Sequence, residues 1–349
     1  YFKDPALVKK FQTRGVIHTW AMPDGTQKIE STGPLGKKRM ETIDEEVTNA
    51  SLDYLAKAAK SDKPFFLWWN STRMHINTHL KTESQGKTGL GVYPDGMVEH
   101  DAMVGQLLDK LKELGLDQNT IVMYSTDNGA EVASWPDGGT TPFRGEKNTN
   151  WEGGYRVPAM LRWPGVIQPG TVLNDIFAHE DMIPTIMAAA GVPDVVEQLK
   201  KGMNVGGKTF KVHLDGYNVT DALAGKSPSP RKEFFYFNDD GSLVAFRYNQ
   251  WKVVFAEQRV QGTVQIWAEP FVFLRVPKLF NLRTDPYERA DITSNTYWDW
   301  MIDRVYLTYA AQYIVREFLE TFREFPPRMK AASFTVDDVL KKMEQSFDN

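Results

Sequence analysis

The first third of the chain alternates between two patterns of apolar residues. From Asp44 to Lys60, and again from Met97 to Leu114, apolar residues recur every three to four positions, which predicts two amphipathic helices. Gly115 is suited to the C′ position after the second helix. Pro64–Trp69 is a short apolar run that predicts a strand buried on both faces, and Thr120–Tyr124 predicts another. Helices and strands alternating at this spacing favour an α/β fold.

The middle of the chain is richer in turn residues. Residues 129–155 contain many Gly, Thr, Trp and Asn and predict a long loop, a feature that is often functional. Val157–Trp163 predicts a return to strand, and Asp181–Ala190 predicts a short helix that Gly191 ends. Residues 195–231 carry Gly-Gly and Ser-Pro pairs and predict a linker.

The last third predicts a different architecture. Five short β-type runs joined by turns are typical of an antiparallel sheet: Phe234–Phe237, Leu243–Tyr248, Trp251–Phe255, Val264–Trp267 and Phe271–Leu274. Trp300–Phe325 predicts a long amphipathic helix docked on that sheet. We therefore expect a larger domain over residues 1–230 and a small sheet-and-helix domain over residues 231–349.

Composition narrows the class of protein. The chain has 349 residues, 42% hydrophobic and 25% charged, as in an ordinary globular protein and unlike a disordered one. Its net charge of −4 argues against a nucleic-acid partner. No apolar stretch approaches the roughly 20 residues of a membrane span. The absence of cysteine excludes disulfides, thiolate metal sites and a cysteine nucleophile within these residues.

The strongest chemical signal directly follows the strand at Thr120–Tyr124. Asp127 and Asn128 lie where the chain leaves that strand, and Gly129 permits a sharp turn there. Ligands of α/β proteins bind beyond the carboxyl ends of strands. A carboxylate and an amide oxygen suit Ca²⁺ or Mg²⁺. The alternative is a capped turn, since Asp-Asn-Gly is a common turn sequence.

Three further signals come from loops. Lys147, in a glycine-containing loop, can offer a compact positive charge to an anion, or can be a solvated surface charge. Glu152, followed by two glycines, suggests a carboxylate held against a base. His75 follows the apolar run at Pro64–Trp69 and can transfer protons, or can be merely polar. A metal-binding pair of His75 with His79 is rejected, because the intervening residues do not predict a helix.

From about residue 45 to 292 the chain resembles the sulfatase family, the type I formylglycine-dependent arylsulfatases. The resemblance rests on a series of motifs in the family's order: Lys63–Phe66, Asp101–Leu111, Gly115–Val122, Ser125–Gly129, Phe143–Lys147, Glu152–Pro158, Trp163–Gly165, Asp181–Thr185 with Ala190–Gly191, Asp215–Gly216 and Leu279–Glu288.

The resemblance implies an alkaline-phosphatase-like mixed sheet flanked by helices, with a smaller C-terminal domain of antiparallel sheet and helix. It implies that Asp127 and Asn128 are metal ligands, normally for Ca²⁺ with Mg²⁺ as the alternative. It further implies that Lys147 holds the sulfate and that His75 lies beside the leaving oxygen. The implied reaction is hydrolysis of a small-molecule or glycan sulfate ester by a formylglycine nucleophile.

The chain also departs from the family. The nucleophile motif Cys/Ser-x-Pro-x-Arg and an upstream Asp-Asp pair of metal ligands are absent, and the near match at Ser227–Arg231 has Ser where the motif requires Pro. We expect an N-terminally truncated sulfatase whose nucleophile lies outside this fragment, so that the fragment alone binds metal weakly and lacks turnover. The family suggests a periplasmic or secreted location, and the oligomeric state is left open.

Two other functions compete with the sulfatase interpretation. One is a phosphomonoester or phosphonate hydrolase of the same superfamily, whose site also stabilises a tetrahedral anion. The other is a non-catalytic binding protein that kept the sulfatase scaffold.

Overall fold

A computed structural model describes residues 3–7, 15–328 and 331–333. By their contacts the residues separate into two units, 1–119 and 120–349. The composition of the chain predicts a domain boundary near residue 230. The two contact-based units do not test this boundary, which stays a prediction.

The first unit contains the two helices that the apolar spacing predicts. Its elements are β1 (Ile17–Ala21), β2 (Gln27–Ser31), α1 (Lys37–Met40), α2 (Ile43–Ala58) and α3 (Val92–Glu113), with 3₁₀ turns at Thr82–Ser84 and Asp117–Asn119. β1 and β2 form an antiparallel hairpin. Leu55 of α2 and Met103 and Leu111 of α3 are buried. Gly115 follows α3 with a positive φ of 68°, as predicted for a helix end.

The strand predicted at Pro64–Trp69 is wrong. The segment has no regular secondary structure, and no strand within the described residues pairs with it. The Phe65 ring lies 6.4 Å from that of Tyr54 on α2, whereas Phe66 and Trp68 are 66% and 77% exposed. An apolar run indicates a preference for burial, but a strand also needs a neighbouring backbone to bond to. That second requirement is invisible in the run itself.

The second unit begins with a two-stranded ladder. β3 (Val122–Ser125) pairs antiparallel with β4 (Ala159–Arg162), which confirms strands in both predicted places. The ladder is partly exposed rather than buried. Between these two strands lies the short helix α4 (Glu152–Tyr155). After β4 come α5 (Met182–Ala189), α6 (Val195–Lys201), β5 (Met203–Val205), β6 (Lys208–Phe210) and α7 (Thr220–Leu223). The linker predicted over 195–231 is therefore wrong: its glycines and prolines punctuate two helices and a hairpin.

The C-terminal part forms the predicted antiparallel sheet, in the order β10-β9-β8-β7. Its elements are β7 (Glu233–Phe237), β8 (Leu243–Tyr248), β9 (Trp251–Glu257), α8 (Gln265–Ala268), β10 (Val272–Asn281), α9 (Ala290–Thr293), α10 (Tyr297–Ile302) and α11 (Tyr306–Glu324). Val244, Phe246 and Val254 are at most 2% exposed. α10 and α11 contribute Tyr297, Met301 and Ala311 to the core on one side of the sheet.

Two predictions in this region are wrong in instructive ways. Val264–Trp267 belongs to the short helix α8 rather than to a strand. The helix predicted over Trp300–Phe325 is divided into α10 and α11. The division has a local cause, because the Arg304 guanidinium folds back and donates to the Trp300 carbonyl oxygen at 2.9 Å. That bond satisfies a carbonyl that a continuous helix would bond to its own backbone.

Candidate functional site

The Asp127–Asn128 turn lies immediately beyond β3. Ser125, the last residue of β3, donates through its hydroxyl to the Pro158 carbonyl oxygen at 3.0 Å, which ties the turn to the start of β4. The Asp127 side chain is exposed. The Asn128 amide nitrogen donates to the Gly129 carbonyl oxygen at 2.9 Å, which leaves the amide oxygen for other partners. The turn thus carries a carboxylate and an amide oxygen at the strand end, and their role as metal ligands stays a prediction.

Glycines bring three loops into direct backbone contact at this turn. The Gly129 N–H donates to the Gly154 carbonyl oxygen at 2.9 Å, and the Gly153 N–H donates to the Arg144 carbonyl oxygen at 2.7 Å. A Cβ at residue 129 would lie 1.7 Å from the Gly153 carbonyl oxygen, so no larger residue fits without moving the backbone. The turn therefore rests on α4 and on the loop that leads to Lys147.

Lys147 is held beside this turn by backbone and side chain. Its N–H donates to the Ala130 carbonyl oxygen at 2.9 Å, and its Nζ donates to Glu131 Oε2 at 3.1 Å. Glu131 is itself held, because Ser134 Oγ donates to Glu131 Oε1 at 2.7 Å. Both members of the Lys147–Glu131 pair are largely buried. Lys147 is therefore a fixed charge, and the alternative of a freely solvated surface lysine is wrong.

An aromatic ring that sequence reasoning did not single out lies next to Lys147. Trp267 of α8 has its ring centroid 5.5 Å from Lys147 Nζ. Residues 264–267 were expected to form a strand of the sheet, which would have kept them away from the loops. The high aromatic content of the chain was the available signal, but it did not distinguish Trp267 from the other nine tryptophans.

Glu152, the first residue of α4, is the buried centre of a charge network. Its carboxylate accepts from Tyr236 Oη at 2.7 Å, from Lys252 Nζ at 3.0 Å, from Arg156 Nε at 2.8 Å and from Arg247 Nη1 at 3.2 Å. Burial alone would raise the pKa of Glu152, but the charges of Lys252 and Arg247 outweigh it and lower this pKa from 4.5 to about 2. The expected arrangement of a carboxylate held against a base is confirmed.

Lys252 links α4 to the C-terminal sheet. Its side chain is fully buried on β9, and Nζ lies 2.7 Å from Glu288 Oε1 and donates to the Asn150 carbonyl oxygen at 2.8 Å. Glu288 also accepts from the Glu152 N–H at 2.6 Å. A lysine inside the apolar run of β9 was the sequence signal for this buried pair. The sheet thereby anchors the loops that carry Asp127, Asn128 and Lys147.

His75 belongs to the first unit. It is exposed, and its Nδ1 lies 3.3 Å from the Ile76 carbonyl oxygen. The loop before it is fixed by Arg73, whose buried guanidinium pairs with Glu99 at 2.8 Å and with Asp44 at 3.4 Å. Turns rather than a helix connect His75 to the residues after it, in agreement with the rejected metal pair. The role of His75 stays a prediction.

The near match to a nucleophile motif at Ser227–Arg231 is part of the packing. Ser229 is buried and its hydroxyl donates to the Ile176 carbonyl oxygen at 2.9 Å. The Arg231 guanidinium is paired with Asp181 at 2.6 Å. Both side chains have structural partners, which supports the interpretation that this segment is not a catalytic motif.

The Asp127–Asn128 turn offers oxygen ligands of the type that a hard cation binds, but too few of them. Asp127 and Asn128 offer a carboxylate and an amide oxygen, the donors that Ca²⁺ takes. No group of three or more His, Asp or Glu in the described part of the chain is arranged to hold a metal ion. Two donors fall short of the roughly six to eight oxygens that Ca²⁺ prefers. These two residues can therefore supply only part of a calcium site.

Fold and site together define an α/β protein in which a carboxylate and an amide follow a strand end, and the backbone of a fixed lysine is bonded next to that turn. Residues 5–192 match the family model "Sulfatase", and residues 229–348 match the model of the C-terminal region of aryl-sulfatase. The chain belongs to the sulfatase family.

Curated relatives include human arylsulfatase A, 32% identical over 211 residues, which are 59% of this chain and 38% of that protein. The arylsulfatase of Hemicentrotus pulcherrimus is 34% identical over 201 residues, 57% of this chain and 33% of that protein. Human steryl-sulfatase is 30% identical over 255 residues, 67% of this chain and 41% of that protein. The matched part of the chain therefore spans less than half the length of each of these relatives.

Solved structures agree with the family. The PsFucS1 sulfatase from Pseudoalteromonas sp. superposes with a TM-score of 0.70 and 26% identity over 86% of this chain and 57% of its own. Ps i-CgsB, solved with k-i-k-neocarrahexaose, has a TM-score of 0.62 and 22% identity over 91% of this chain and 62% of its own. The predicted fold class, a sulfatase-type α/β domain with a C-terminal antiparallel sheet, is confirmed. None of the helices within the described ranges has the length and apolarity of a membrane span.

Proposed function

We propose that this chain forms part of a sulfuric ester hydrolase, an enzyme that hydrolyses a sulfate ester to an alcohol and sulfate. Membership of the sulfatase family supports the activity. The observation that carries the proposal for this chain is the fixed Lys147 ammonium, bonded through its backbone to the loop that presents Asp127 and Asn128. A fixed cation next to hard oxygen donors suits a tetrahedral anion.

Lys147 binds the sulfate in this proposal. Its compact ammonium donates to a non-bridging sulfate oxygen and stabilises the charge that develops there as the ester bond breaks. Glu131 keeps the lysine side chain in place before the ester arrives, with its carboxylate 3.1 Å from Nζ. The lysine therefore does not have to be ordered during binding, and less entropy is lost when the ester binds.

Asp127 and Asn128 would hold part of a calcium site. A cation bound there would polarise the sulfate and share its negative charge with Lys147. The formylglycine that the family uses supplies the nucleophile, and we propose that it and the remaining metal ligands lie outside these residues. His75 is proposed to protonate the departing alcohol oxygen, since an imidazole can donate a proton near neutral pH.

The names of similar proteins support a broad class of substrate. Ps i-CgsB was solved with a neocarrahexaose, and one curated relative, at 28% identity, is named N-acetylgalactosamine-6-sulfatase. We propose a sulfated carbohydrate as the substrate and a location outside the cytoplasm, as the family resemblance suggests.

The test uses the full-length protein that contains this chain, produced with its formylglycine formed. We expect it to hydrolyse 4-nitrophenyl sulfate in preference to 4-nitrophenyl phosphate. Lys147→Met should lower kcat/KM for the sulfate by about 10²–10³, the usual effect of removing one group that stabilises an oxyanion. The matched control is Lys226→Met, because Lys226 is an exposed lysine 4.0 Å from Asp221.

The outcomes separate the competing functions. A preference for the phosphate ester would establish the phosphoesterase alternative, and hydrolysis of neither ester would leave the binding-protein alternative. The metal assignment has its own measurement: Ca²⁺ should raise the melting temperature of the protein, and Asp127→Ala with Asn128→Ala should remove that increase. A Ca²⁺ response unchanged in the double variant would overturn the assignment.

A further inference from the structure

The loop between β9 and β10 reaches the lysine site. Residues 258–271 connect these strands and contain α8, whose Trp267 lies with its ring centroid 5.5 Å from Lys147 Nζ. This loop belongs to the C-terminal sheet, whereas Lys147 belongs to the loops beyond β3. An element remote in the sequence therefore forms one wall beside the fixed ammonium.

The loop is anchored rather than loosely attached. Ile266, next to Trp267, is 3% exposed. The Gln258 amide nitrogen donates to the Glu269 carbonyl oxygen at 2.7 Å and to the Ile266 carbonyl oxygen at 3.4 Å, which closes the base of the loop. Because its neighbours are fixed in this way, Trp267 is held next to Lys147 although its own side chain is accessible.

Trp267 is 54% exposed, although Lys147 Nζ lies over its ring, so a large part of the indole is open. The tryptophan at residue 151 in the same unit is 3% exposed and packs at the edge of Phe280, so it belongs to the core and cannot line a cleft. Apolar area left open beside a fixed charge indicates a contact surface for a ligand that has both an anionic group and a flat face.

The geometry defines which part of a ligand meets the ring. An anionic oxygen bonded to Lys147 would lie about 2.8 Å from Nζ. In a sulfate ester the first carbon is three bonds from that oxygen, through the sulfur and the bridging oxygen, so it can reach an indole centred 5.5 Å from the same nitrogen. A sulfate held by Lys147 on the side that faces Trp267 brings the ring that carries it within reach of the indole.

We propose that Trp267 is a substrate-binding residue that stacks on the pyranose ring carrying the sulfate. This inference rests on the proposed function and specifies its substrate. A sugar fits better than an aryl group, because aryl ligands favour enclosed apolar pockets, whereas the Trp267 ring is 54% exposed. Arg259, on the same loop, is 60% exposed and can donate to sugar hydroxyls.

The test compares sugar and aryl sulfates in the full-length protein. Trp267→Ala should raise KM for N-acetylgalactosamine 6-sulfate about tenfold, equivalent to about 1.4 kcal/mol of lost stacking, with kcat little changed. Trp267→Phe should retain most of the affinity, since it keeps a flat ring. Hydrolysis of 4-nitrophenyl sulfate should lose less than hydrolysis of the sugar sulfate, because the open Trp267 ring does not enclose an aryl group. The control is Trp298→Ala, because Trp298 is 49% exposed on α10.

Equal losses for the sugar and aryl esters in Trp267→Ala, or no loss for either, would overturn the proposal. Binding of N-acetylgalactosamine 6-sulfate, measured by titration calorimetry on the same variants, separates it from the proposed function. If no ester is hydrolysed but the sugar sulfate binds and Trp267→Ala weakens it about tenfold, the sulfatase proposal fails and the role of Trp267 stands. If the unmodified protein hydrolyses 4-nitrophenyl sulfate but binds no sugar sulfate, the sulfatase proposal stands and the role of Trp267 fails.

Discussion

The C-terminal sheet and the β3–β4 ladder use similar apolar strands with different results. In the sheet, both central strands have a neighbour on each side, and residues such as Val244 and Val254 are completely buried. In the ladder each strand has one neighbour among the described residues, and Met160 on β4 is 62% exposed. Burial of a strand therefore depends on what covers its faces and edges, and the strand sequence alone does not determine it.

The difference matters because the site loops are attached to the better covered region. The turn after β3 carries the candidate ligands, but α4 fixes it through the buried charges of Glu152, Lys252 and Glu288. The sheet supplies the rigid support, and the ladder supplies the strand end at which the ligands lie. This arrangement predicts that substitutions in the buried charges of the sheet lower the free energy of unfolding strongly, whereas substitutions on the exposed apolar surface change it little.

The largest effect should come from Lys252→Met. Removal of the ammonium leaves the Glu152 and Glu288 carboxylates buried beside each other without their shared partner. We expect the free energy of unfolding to fall by about 3–5 kcal/mol. Urea denaturation of the full chain measures it, and amide hydrogen exchange in β8 and β9 locates it. Lys226→Met is the control, and a loss of similar size in that variant would contradict the explanation.

Acid should weaken the same network. The pKa of Glu152 is depressed to about 2, so its contribution to stability is fully present above pH 4.5 and is lost as the pH falls towards 2. Thermal melts of the chain between pH 6 and pH 2.5 should show a steep decline that Glu152→Gln makes shallower. An equally steep decline in Glu152→Gln would assign the acid sensitivity to other groups.

A smaller effect is expected where the loops touch. Gly129→Ala places a methyl group against the Gly153 carbonyl oxygen and forces the turn away from α4, at a cost of about 1–3 kcal/mol. The Ca²⁺-dependent increase in melting temperature should diminish with it. Gly105→Ala is the control, since a Cβ at Gly105 on α3 meets nothing within 4 Å and should stabilise the helix by about 0.5–1 kcal/mol. An unchanged Ca²⁺ response in Gly129→Ala would show that the turn tolerates the movement.

The smallest effect should come from the exposed apolar segment in the first unit. Trp68→Ser removes a side chain that is 77% exposed and should change the free energy of unfolding of the full chain by less than about 0.5 kcal/mol. Urea denaturation measures it. A loss above 2 kcal/mol would mean that the indole is covered in the folded protein and that the contrast between covered and exposed apolar segments is mistaken.

The sequence predicts the elements that depend on local spacing. The periodic apolar positions of α2 and α3 identify these helices, and the Asp127–Asn128 turn is identified by its place after a β-branched strand. The sequence also identifies Lys147 as a candidate residue, but it does not identify its partner Glu131. The loop that joins them is closed by a backbone hydrogen bond from Lys147 to Ala130, and no sequence motif marks such a bond.

What the sequence does not predict depends on contacts between distant residues. The apolar run at Pro64–Trp69 lacks a pairing strand among the described residues, and Val264–Trp267 forms α8 because its loop closes on Gln258. Tertiary contacts override the local β preference of these residues. The position of Trp267 beside Lys147 is likewise a product of the fold and has no signature along the chain.

The ion pair between Lys147 and Glu131 has a consequence for how the site chooses among anions. Glu131 uses only one of the three N–H donors of the Lys147 ammonium, so an arriving anion binds beside this carboxylate and also meets its negative charge. Weakly binding anions such as chloride gain too little from Lys147 alone to offset the repulsion from a tethered carboxylate 3.1 Å from Nζ. An ester that also engages the proposed cation and the indole has further contacts to offset that repulsion. The ion pair thus makes the site selective for ligands that form several contacts at once.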